Sequence, residues 1–165
     1  MPLDETRMFK PINIALLTVS DTRSAFDDTS GDILAERIGS AGHSLVDRHI
    51  ERDDQEKLVS LLHNWIDNVD VDCVIITGGT GLTGRDITPE ALDRVKTKDI
   101  PGFGELFRML SYHELGPAAM MSRASAGTIG KVVVLSLPGS ENAVRLAMTR
   151  LVVPELGHLV QQTQK

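Results

Sequence analysis

Two runs of consecutive apolar residues constrain the fold of this chain more than any other feature. Residues 73–76 are Cys-Val-Ile-Ile, and residues 132–135 are Val-Val-Val-Leu. A strand with one solvated face alternates apolar and polar residues, whereas a strand buried on both faces is apolar throughout. The sequence therefore predicts an α/β fold, in which helices cover both faces of a mostly parallel sheet.

Weaker patterns place further strands and helices in alternation along the chain. Strands are predicted at residues 12–19 and 45–50, and residues 124–129 fit a short strand or a hairpin arm. Apolar residues spaced three and four apart predict helices that begin near residues 30, 54, 88, 105 and 142, with residues 117–123 helical as well. Strands that alternate with helices are expected to pair in parallel through helical crossovers.

Caps and breakers mark several of the predicted helix ends. Thr88 is expected to cap one helix, with Pro89 in its first turn and an end near Val95. Residues 101–104, Pro-Gly-Phe-Gly, are expected to interrupt that helix, and Pro154 to kink or break the last one. The Leu and Met residues that follow Phe103 are expected to lie in the core.

Size and charge limit the classes of function. A chain of 165 residues predicts one domain at residues 11–165, preceded by a flexible arm at residues 1–10. The net charge of −6 argues against bulk nucleic-acid binding, which needs a basic face. Because Cys73 is the single cysteine, no internal disulfide can form, and a cytoplasmic location without membrane segments is the simplest expectation. The five histidines show no spacing typical of a zinc site.

A glycine-rich loop is the strongest functional signal. Residues 77–90 read Thr-Gly-Gly-Thr-Gly-Leu-Thr-Gly-Arg-Asp-Ile-Thr-Pro-Glu, between a predicted buried strand and a predicted helix. Glycines let backbone N–H groups approach an anion closely, and a helix N-terminus adds partial positive charge. The spacing is neither that of a Walker A loop nor Gly-x-Gly-x-x-Gly. A tight turn without a ligand is the alternative, but the loop exceeds the usual length of such turns, which favours phosphate chemistry.

Three loops are expected to meet at one edge of the predicted sheet. Ligands bind to open α/β sheets at the carboxyl ends of the strands. Residues 20–22, Ser-Asp-Thr, the glycine-rich loop and residues 138–140, Pro-Gly-Ser, each follow a predicted strand. The sequence therefore predicts a crevice lined by all three.

Acidic residues near these loops allow more than one role. Asp86 could hold Mg²⁺ or a proton, could cap the following helix or could pair with a basic residue; if Thr88 supplies the cap, Asp86 is free for other work. One of Asp53 and Asp54 is expected to cap the next helix. Asp21 is as compatible with a turn as with catalysis. Ser140 is by default a helix cap, and Cys73 a core residue.

Several ordered motifs resemble the MoaB/Mog family of molybdenum cofactor biosynthesis. The resemblance covers about residues 12–160 and is carried by residues 20–22, 28–31, 77–81, 85–90, 101–105 and 137–140. At residues 137–141 this chain has Leu-Pro-Gly-Ser-Glu where the Mog branch has Leu-Pro-Gly-Asn-Pro. Together with residues 18–20 and 107–111, this difference is similar to the MoaB branch of the family.

The resemblance implies a three-layer α/β/α fold, a homotrimer or homohexamer, and adenylylation of molybdopterin. In that reaction the terminal phosphate of the pterin attacks the α-phosphate of ATP in the presence of Mg²⁺, pyrophosphate leaves, and the product passes to a MoeA-type protein that inserts molybdate. The alternatives are a pterin-binding carrier without catalysis and an oligomeric scaffold of the same pathway.

The resemblance also implies which residues form the site. Asp86 and Asp53 correspond to the two important acids of the family, with Asp86 as the Mg²⁺ ligand or phosphate-positioning group and Asp53 in a supporting role. The remaining ligand-binding residues predicted for this chain are Ser20, Asp21, Thr77, Gly78, Gly79, Thr80, Gly81, Arg85, Thr88, Pro138, Gly139 and Ser140.

Overall fold

A computed structural model describes residues 8–67 and 70–165, and this part of the chain forms one six-stranded sheet flanked by helices. Residues 1–7, which make up most of the predicted flexible arm, lie outside the described residues. The strands are β1 (Asn13–Val19), β2 (Ser44–Glu51), β3 (Cys73–Thr77), β4 (Lys98–Asp99), β5 (Ser125–Ile129) and β6 (Val132–Leu137). The helices are α1 (Thr29–Ser40), α2 (Gln55–Ile66), α3 (Thr88–Asp93), α4 (Pro101–Leu115), α5 (Glu141–Ala147) and α6 (Val153–Gln164).

The strand order is β2-β1-β3-β6-β5-β4, and its larger part is parallel. β1 pairs in parallel with both β2 and β3, and β3 pairs in parallel with β6. β5 is antiparallel to both of its neighbours. The predicted mostly parallel sheet is confirmed, and residues 124–129 form a hairpin arm rather than a crossover strand.

Helices cover both faces of the sheet, because the strand side chains alternate between two apolar cores. On β1, Ile14 and Leu16 belong to one core together with residues of α1, α4, α5 and α6, whereas Leu17 belongs to the core on the opposite face, with residues of α2 and α3. The side chains of Cys73, Val74, Ile75 and Ile76 on β3 are fully buried between the two layers. The three-layer α/β/α arrangement is thereby confirmed, and Cys73 is a core residue.

The predicted cap of α3 is wrong by one residue. Ile87 occupies the N-cap position without a side-chain hydrogen bond, and Thr88 is the first helical residue. The Thr88 hydroxyl instead donates to the carbonyl oxygen of Gly78, 2.9 Å away, because the loop folds back over the start of the helix. α3 also ends at Asp93, before the predicted Val95.

Residues 101–104 begin a helix instead of interrupting one. α4 starts at Pro101, which needs no amide partner in the first turn, and continues to Leu115. The preceding short strand β4 was not predicted, and the helical turn after α4 is a 3₁₀ helix at Gly116–Met121.

The expectation that the apolar residues after Phe103 lie in the core is largely wrong. Phe107 is buried, but the side chains of Leu106 and Met109 are 48% and 52% exposed. Tyr112, Leu115, Met120 and Met121 are likewise more than half exposed. We call this set the α4 apolar face.

Pro154 does not break the C-terminal helix. A π-helical segment, Met148–Val152, joins α5 to α6, and Pro154 lies in the first turn of α6. The chain stays helical from Glu141 to Gln164, and the irregularity next to Pro154 is the π segment that precedes it. Across residues 8–67 and 70–165, none of the helices is long and apolar enough to cross a membrane.

Candidate functional site

A cleft of about 680 Å³ opens at the carboxyl ends of β1, β3 and β6. Because these three strands are neighbours in the sheet, the loops that follow them meet at one edge. The loop after β1 supplies Ser20 and Asp21, and the loop after β6 supplies Pro138 and Gly139. The glycine-rich loop, residues 78–87, forms the floor between them.

Two glycines give the glycine-rich loop its shape. Gly78 and Gly79 have φ values of +96° and +66°, a region that residues with a Cβ rarely adopt. A Cβ on Gly78 would overlap the carbonyl oxygen of Val19, and a Cβ on Gly79 would lie 2.9 Å from Asp53 Oδ1. The loop can therefore approach β1 and Asp53 only because both positions lack a side chain.

The carbonyl groups at the start of this loop bond to residues outside the cleft. Thr88 donates to two of them: its hydroxyl donates to Gly78 O, and its amide donates to Gly79 O over 2.9 Å. A trans peptide directs its N–H opposite to its C=O, and no cis peptide occurs among the described residues. The amides of Gly79 and Thr80 are therefore directed to the cleft side, where an anion could accept from them.

Asp86 closes the far end of the loop. Its Oδ2 accepts hydrogen bonds from Thr83 N at 3.0 Å and from Thr83 Oγ1 at 2.6 Å. The hydroxyl bond from Thr83 is the largest cause that holds the pKa of Asp86 below its ordinary value, so this carboxylate is charged. Asp86 lines the cleft and is also part of the loop's own framework.

The structure separates the roles of Asp53 and Asp54. Asp54 caps α2, because its side chain accepts from Lys57 N at 3.1 Å. Asp53 lines the cleft, and its Oδ1 is buried with no hydrogen-bond partner among the described residues. Burial raises the pKa of Asp53 above its ordinary value, and the charges of Asp21 and Asp86 raise it further. The charge of Asp53 is thus only partly offset, by Arg85 and by a backbone hydrogen bond.

Asp21 links the first loop to the other two acids. It accepts hydrogen bonds from Arg85 Nε at 2.9 Å and from Arg85 Nη2, and from Asp53 N at 3.1 Å. The side-chain bond from Arg85 is the largest cause that lowers the pKa of Asp21. Arg85 therefore holds Asp21 charged, although its guanidinium group remains 70% exposed at the mouth of the cleft.

The opposite wall is fastened by the start of α1. Ser30 Oγ donates to Gly139 O at 2.7 Å, and Thr77 Oγ1 donates to Pro138 O at 3.0 Å. Arg23 lies beside this wall and donates to Ser30 Oγ at 3.2 Å. The wall therefore has fixed backbone groups and one cationic side chain.

The sequence match to a known family agrees with this geometry. Residues 15–158 match the family model MoCF_biosynth, described as "Probable molybdopterin binding domain". The chain belongs to this family. The match spans both sheet faces and all three loops of the cleft, and it confirms the resemblance drawn from the motifs.

Individual relatives support the same conclusion. The molybdenum cofactor biosynthesis protein B of Bacillus cereus is 48% identical over 151 residues, which cover 91% of this chain and 89% of that protein. A crystal structure of a molybdenum cofactor biosynthesis protein B has a TM-score of 0.92 at 46% identity and covers 96% of this chain and 99% of its own. The tungsten cofactor synthesizing protein MoaB of Pyrococcus furiosus has a TM-score of 0.85 at 35% identity over 96% of this chain and all, 100%, of its own. This MoCF_biosynth chain therefore has a role in molybdenum cofactor biosynthesis.

Most of the residues predicted for the site line the cleft of this MoCF_biosynth domain, but two do not. Thr88 is fully buried behind the glycine-rich loop, where its hydroxyl donates to the carbonyl oxygen of Gly78. Ser140 caps α5 by accepting from Ala143 N at 3.3 Å, as its default role predicted. The residues brought to the cleft are Ser20, Asp21, Asp53, Thr77, Gly78, Gly79, Thr80, Gly81, Arg85, Asp86, Pro138 and Gly139.

Sequence reasoning missed several contributors. Ser30, Thr83 and Arg23 also line the cleft, and Arg123 bonds to the glycine-rich loop from behind. Thr83 could have been found, because an aspartate side chain commonly bonds to a backbone group three residues before it. Arg123 gave no local signal, since its contact with the loop exists only in the folded chain.

The acids of the cleft fit Mg²⁺ delivered with a phosphate ligand. Among the described residues no three His, Cys, Asp or Glu side chains are grouped to hold a metal ion alone. Mg²⁺ in proteins commonly takes one or two carboxylates, with substrate phosphates and waters completing its shell. The unpartnered Oδ1 of Asp53 and the charged Asp86 are donors of that kind.

Proposed function

We propose that the cleft binds molybdopterin and Mg-ATP and transfers an adenylyl group to the terminal phosphate of the pterin. The observation that carries this proposal is the juxtaposition of an unpartnered buried oxygen on Asp53, charged Asp86 and the amides of Gly79 and Thr80. Anion-binding amides beside two aspartates, one of which has a buried oxygen without a hydrogen-bond partner among the described residues, suit a reaction that joins two phosphates through a cation. The family match supports the choice of a molybdopterin as one substrate.

The loop backbone would hold the phosphates of both substrates. Two polyanions repel each other, so the site must supply positive charge and fix the attacking oxygen in line with the leaving group. The amides of Gly79 and Thr80 would donate to phosphate oxygens without bringing a side chain between the reactants. Arg85 and Arg23, at the two sides of the mouth, offset negative charge as the substrates enter.

Asp53 and Asp86 would hold Mg²⁺, which lowers the repulsion between the phosphates when it is bound. A phosphate oxygen of molybdopterin forms a bond to the α-phosphorus of ATP, the bond from that phosphorus to the bridging oxygen breaks, and pyrophosphate leaves. Asp21 keeps Arg85 in place, since the two side chains share an ion pair. A MoeA-type protein is the expected recipient of the product.

The test is pyrophosphate release and adenylyl-molybdopterin formation by the purified chain with molybdopterin, ATP and Mg²⁺. We expect Asp86→Asn to lower turnover by about 100-fold or more, because the charged ligand is lost. Asparagine keeps an oxygen that can accept from Thr83, so the melting temperature should stay nearly unchanged. Asp99→Asn is the matched control, since Asp99 pairs with Lys96 on the surface, outside the cleft.

The outcomes separate the proposed enzyme from its alternatives. Turnover lost in Asp86→Asn and kept in Asp99→Asn supports the proposal. If the unmodified chain binds molybdopterin but releases no pyrophosphate, the chain is a carrier. If it binds neither substrate, a scaffold role remains, and the cleft is not an active site.

We further propose that the chain forms a homo-oligomer, a trimer or hexamer, through the α4 apolar face. Leu106, Met109, Tyr112 and Leu115 recur every three residues along α4, and each is about half exposed or more. Exposed large apolar side chains in such number are typical of interfaces rather than of monomer surfaces. Light scattering should give a multiple of the 18.0 kDa chain mass, and Met109→Glu should reduce it. Val46→Glu, on the exposed edge strand β2, is the control, and a monomeric unmodified chain would contradict the proposal.

A further inference from the structure

Arg123 bonds to both ends of the glycine-rich loop with one side chain. It lies between the 3₁₀ helix and β5, and its Nε donates to Thr80 O at 3.1 Å. Its Nη2 donates to Gly81 O at 2.5 Å and to Asp86 O at 3.4 Å. The guanidinium group thereby spans the loop from its first residues to the acid at its far end.

The remaining nitrogen of Arg123 is used as well. Nη1 forms an ion pair with Glu90 on α3, which orients the guanidinium plane. The side chain is 27% exposed and does not line the cleft. Arg123 therefore acts on the cleft only through the loop.

A second arginine fixes the backbone on both sides of Arg123. Arg108 on α4 donates from Nη1 to Ser122 O at 3.3 Å and to Ala124 O at 3.1 Å. Gly104 makes room for this contact, because a Cβ there would lie 2.6 Å from Ala124 O and 2.8 Å from Arg108 Nη2. Arg108 therefore ties the backbone on both sides of Arg123 to α4, which fixes the position from which Arg123 reaches the loop.

We propose that Arg123 is a positioning residue that fixes the second half of the glycine-rich loop, and with it Asp86, beside a bound phosphate. Thr88 binds the carbonyls of Gly78 and Gly79, and Arg123 binds those of Thr80, Gly81 and Asp86. The amide opposite the Thr80 carbonyl is that of Gly81, and it donates to the Asp86 carboxylate, so Arg123 holds the part of the loop on which the position of Asp86 depends. This inference rests on the proposed function for its ligand, but the loop geometry can be tested without that function.

Lysine cannot replace arginine fully at this position. The guanidinium group carries five donors in a planar fork, whereas an ammonium group is a compact point charge on a flexible stem. Arg123 uses three nitrogens on four acceptors that lie in different directions. A lysine would keep the charge and only part of the hydrogen bonds.

The experiment compares Arg123→Gln, Arg123→Lys and Glu90→Gln with the control Arg94→Gln. Arg94 pairs with Glu56 on the surface, outside the cleft, so its variant removes a similar ion pair without touching the loop. Hydrogen exchange over residues 78–86 reports loop order, and calorimetric titration with Mg-pyrophosphate reports anion binding.

We expect Arg123→Gln to speed exchange in the loop and to weaken pyrophosphate binding about tenfold, because several charge-assisted hydrogen bonds are lost. Arg123→Lys should recover part of both effects, and Glu90→Gln should change both less than Arg123→Gln does. Outside the loop, hydrogen exchange in Arg123→Gln should equal that in the Arg94→Gln control. If Arg123→Gln fails to fold, loop exchange and pyrophosphate affinity in Arg123→Lys, compared with those in Arg94→Gln, test the inference instead.

Two results would overturn the inference. Loop exchange equal to that of Arg94→Gln would show that Arg123 does not order the loop. Weaker binding with unchanged loop exchange would show that Arg123 acts on the ligand directly. If the unmodified chain binds no pyrophosphate, the proposed function fails, whereas the exchange comparison still judges the role of Arg123 in the loop.

Discussion

β3 and the loop that follows it belong to one continuous segment, yet they are built on opposite principles. Residues 73–76 are apolar, fully buried and held by packing on both faces of the sheet. Directly beyond them, Gly78 and Gly79 adopt positive φ, and Asp53 beside them has a buried oxygen without a hydrogen-bond partner among the described residues. The strand is stabilised by the packing of its own side chains, whereas the loop is fixed by hydrogen bonds, from Thr88 and Arg123 and between its own residues Thr83 and Asp86.

This difference separates stability from function within a few residues. A buried apolar side chain can be exchanged for another of similar volume at modest cost. A carboxylate beside two other acids is unfavourable for folding, so its presence points to a ligand. The two regions should therefore respond oppositely to substitutions of similar size.

The largest effect is expected from truncation in the strand. Ile75→Ala should lower the free energy of unfolding by about 2–5 kcal/mol, because the side chain is fully buried between two layers. Urea denaturation measures this loss, with Leu82→Ala as the control, since Leu82 is 67% exposed on the loop. Ligand affinity of the folded variant should be unchanged. A marginal stability change would contradict the description of β3 as the packing centre.

A smaller effect on stability, with a large effect on binding, is expected at Gly79. Gly79→Ala forces a Cβ into positive φ, at about 1–2 kcal/mol, and into the space of Thr88 Oγ1. Gly84→Ala is the matched control, because nothing lies within 4 Å of its added Cβ. Calorimetry with Mg-pyrophosphate should show lost binding for the first variant alone. Equal affinities would remove the loop backbone from the anion site.

The smallest expected effect is a gain in stability. Asp53→Asn should raise the melting temperature at neutral pH by about 2–4 °C, since it removes a charge that burial and two acids disfavour. Turnover should fall at the same time.

The pH dependence follows from the raised pKa of Asp53. The folded state binds this proton more tightly than the unfolded state, so the unmodified chain loses stability as pH rises from the ordinary pKa through the raised one. The advantage of Asp53→Asn in melting temperature should therefore shrink at acidic pH. A variant less stable than the unmodified chain at neutral pH would show that the charge is compensated.

Much of the fold could be predicted because its signals are local. Continuous apolar runs marked β3 and β6, and the strand-end rule placed residues 20–21 and 138–139 beside the glycine-rich loop. Capping preferences alone do not distinguish Asp53 from Asp54, since both are good caps and only the helix register selects Asp54; the family resemblance is what assigned Asp53 to the site.

The errors arose where long-range contacts decide the outcome. Thr88 was expected to cap α3, but its hydroxyl donates to the carbonyl oxygen of Gly78 in the loop. Leu106 and Met109 were expected in the core, but a helix packed on a sheet buries only one of its sides, and these two residues lie on the exposed side of α4. An apolar pattern alone therefore does not distinguish a core position from an exposed one. Arg123 lies far from the loop in sequence, so no spacing rule could find it.

The most direct test of the cleft as the substrate site is hydrogen exchange with and without molybdopterin and Mg-ATP. If the cleft binds the substrates, we expect slower exchange in all three strand-end loops, at residues 19–23, 77–87 and 137–140. We expect no change around the separate cavity of about 390 Å³ at the amino ends of the strands, which Phe9, His43 and His158 line. Protection at that cavity, or in none of the three loops, would contradict the placement of the substrates in the cleft.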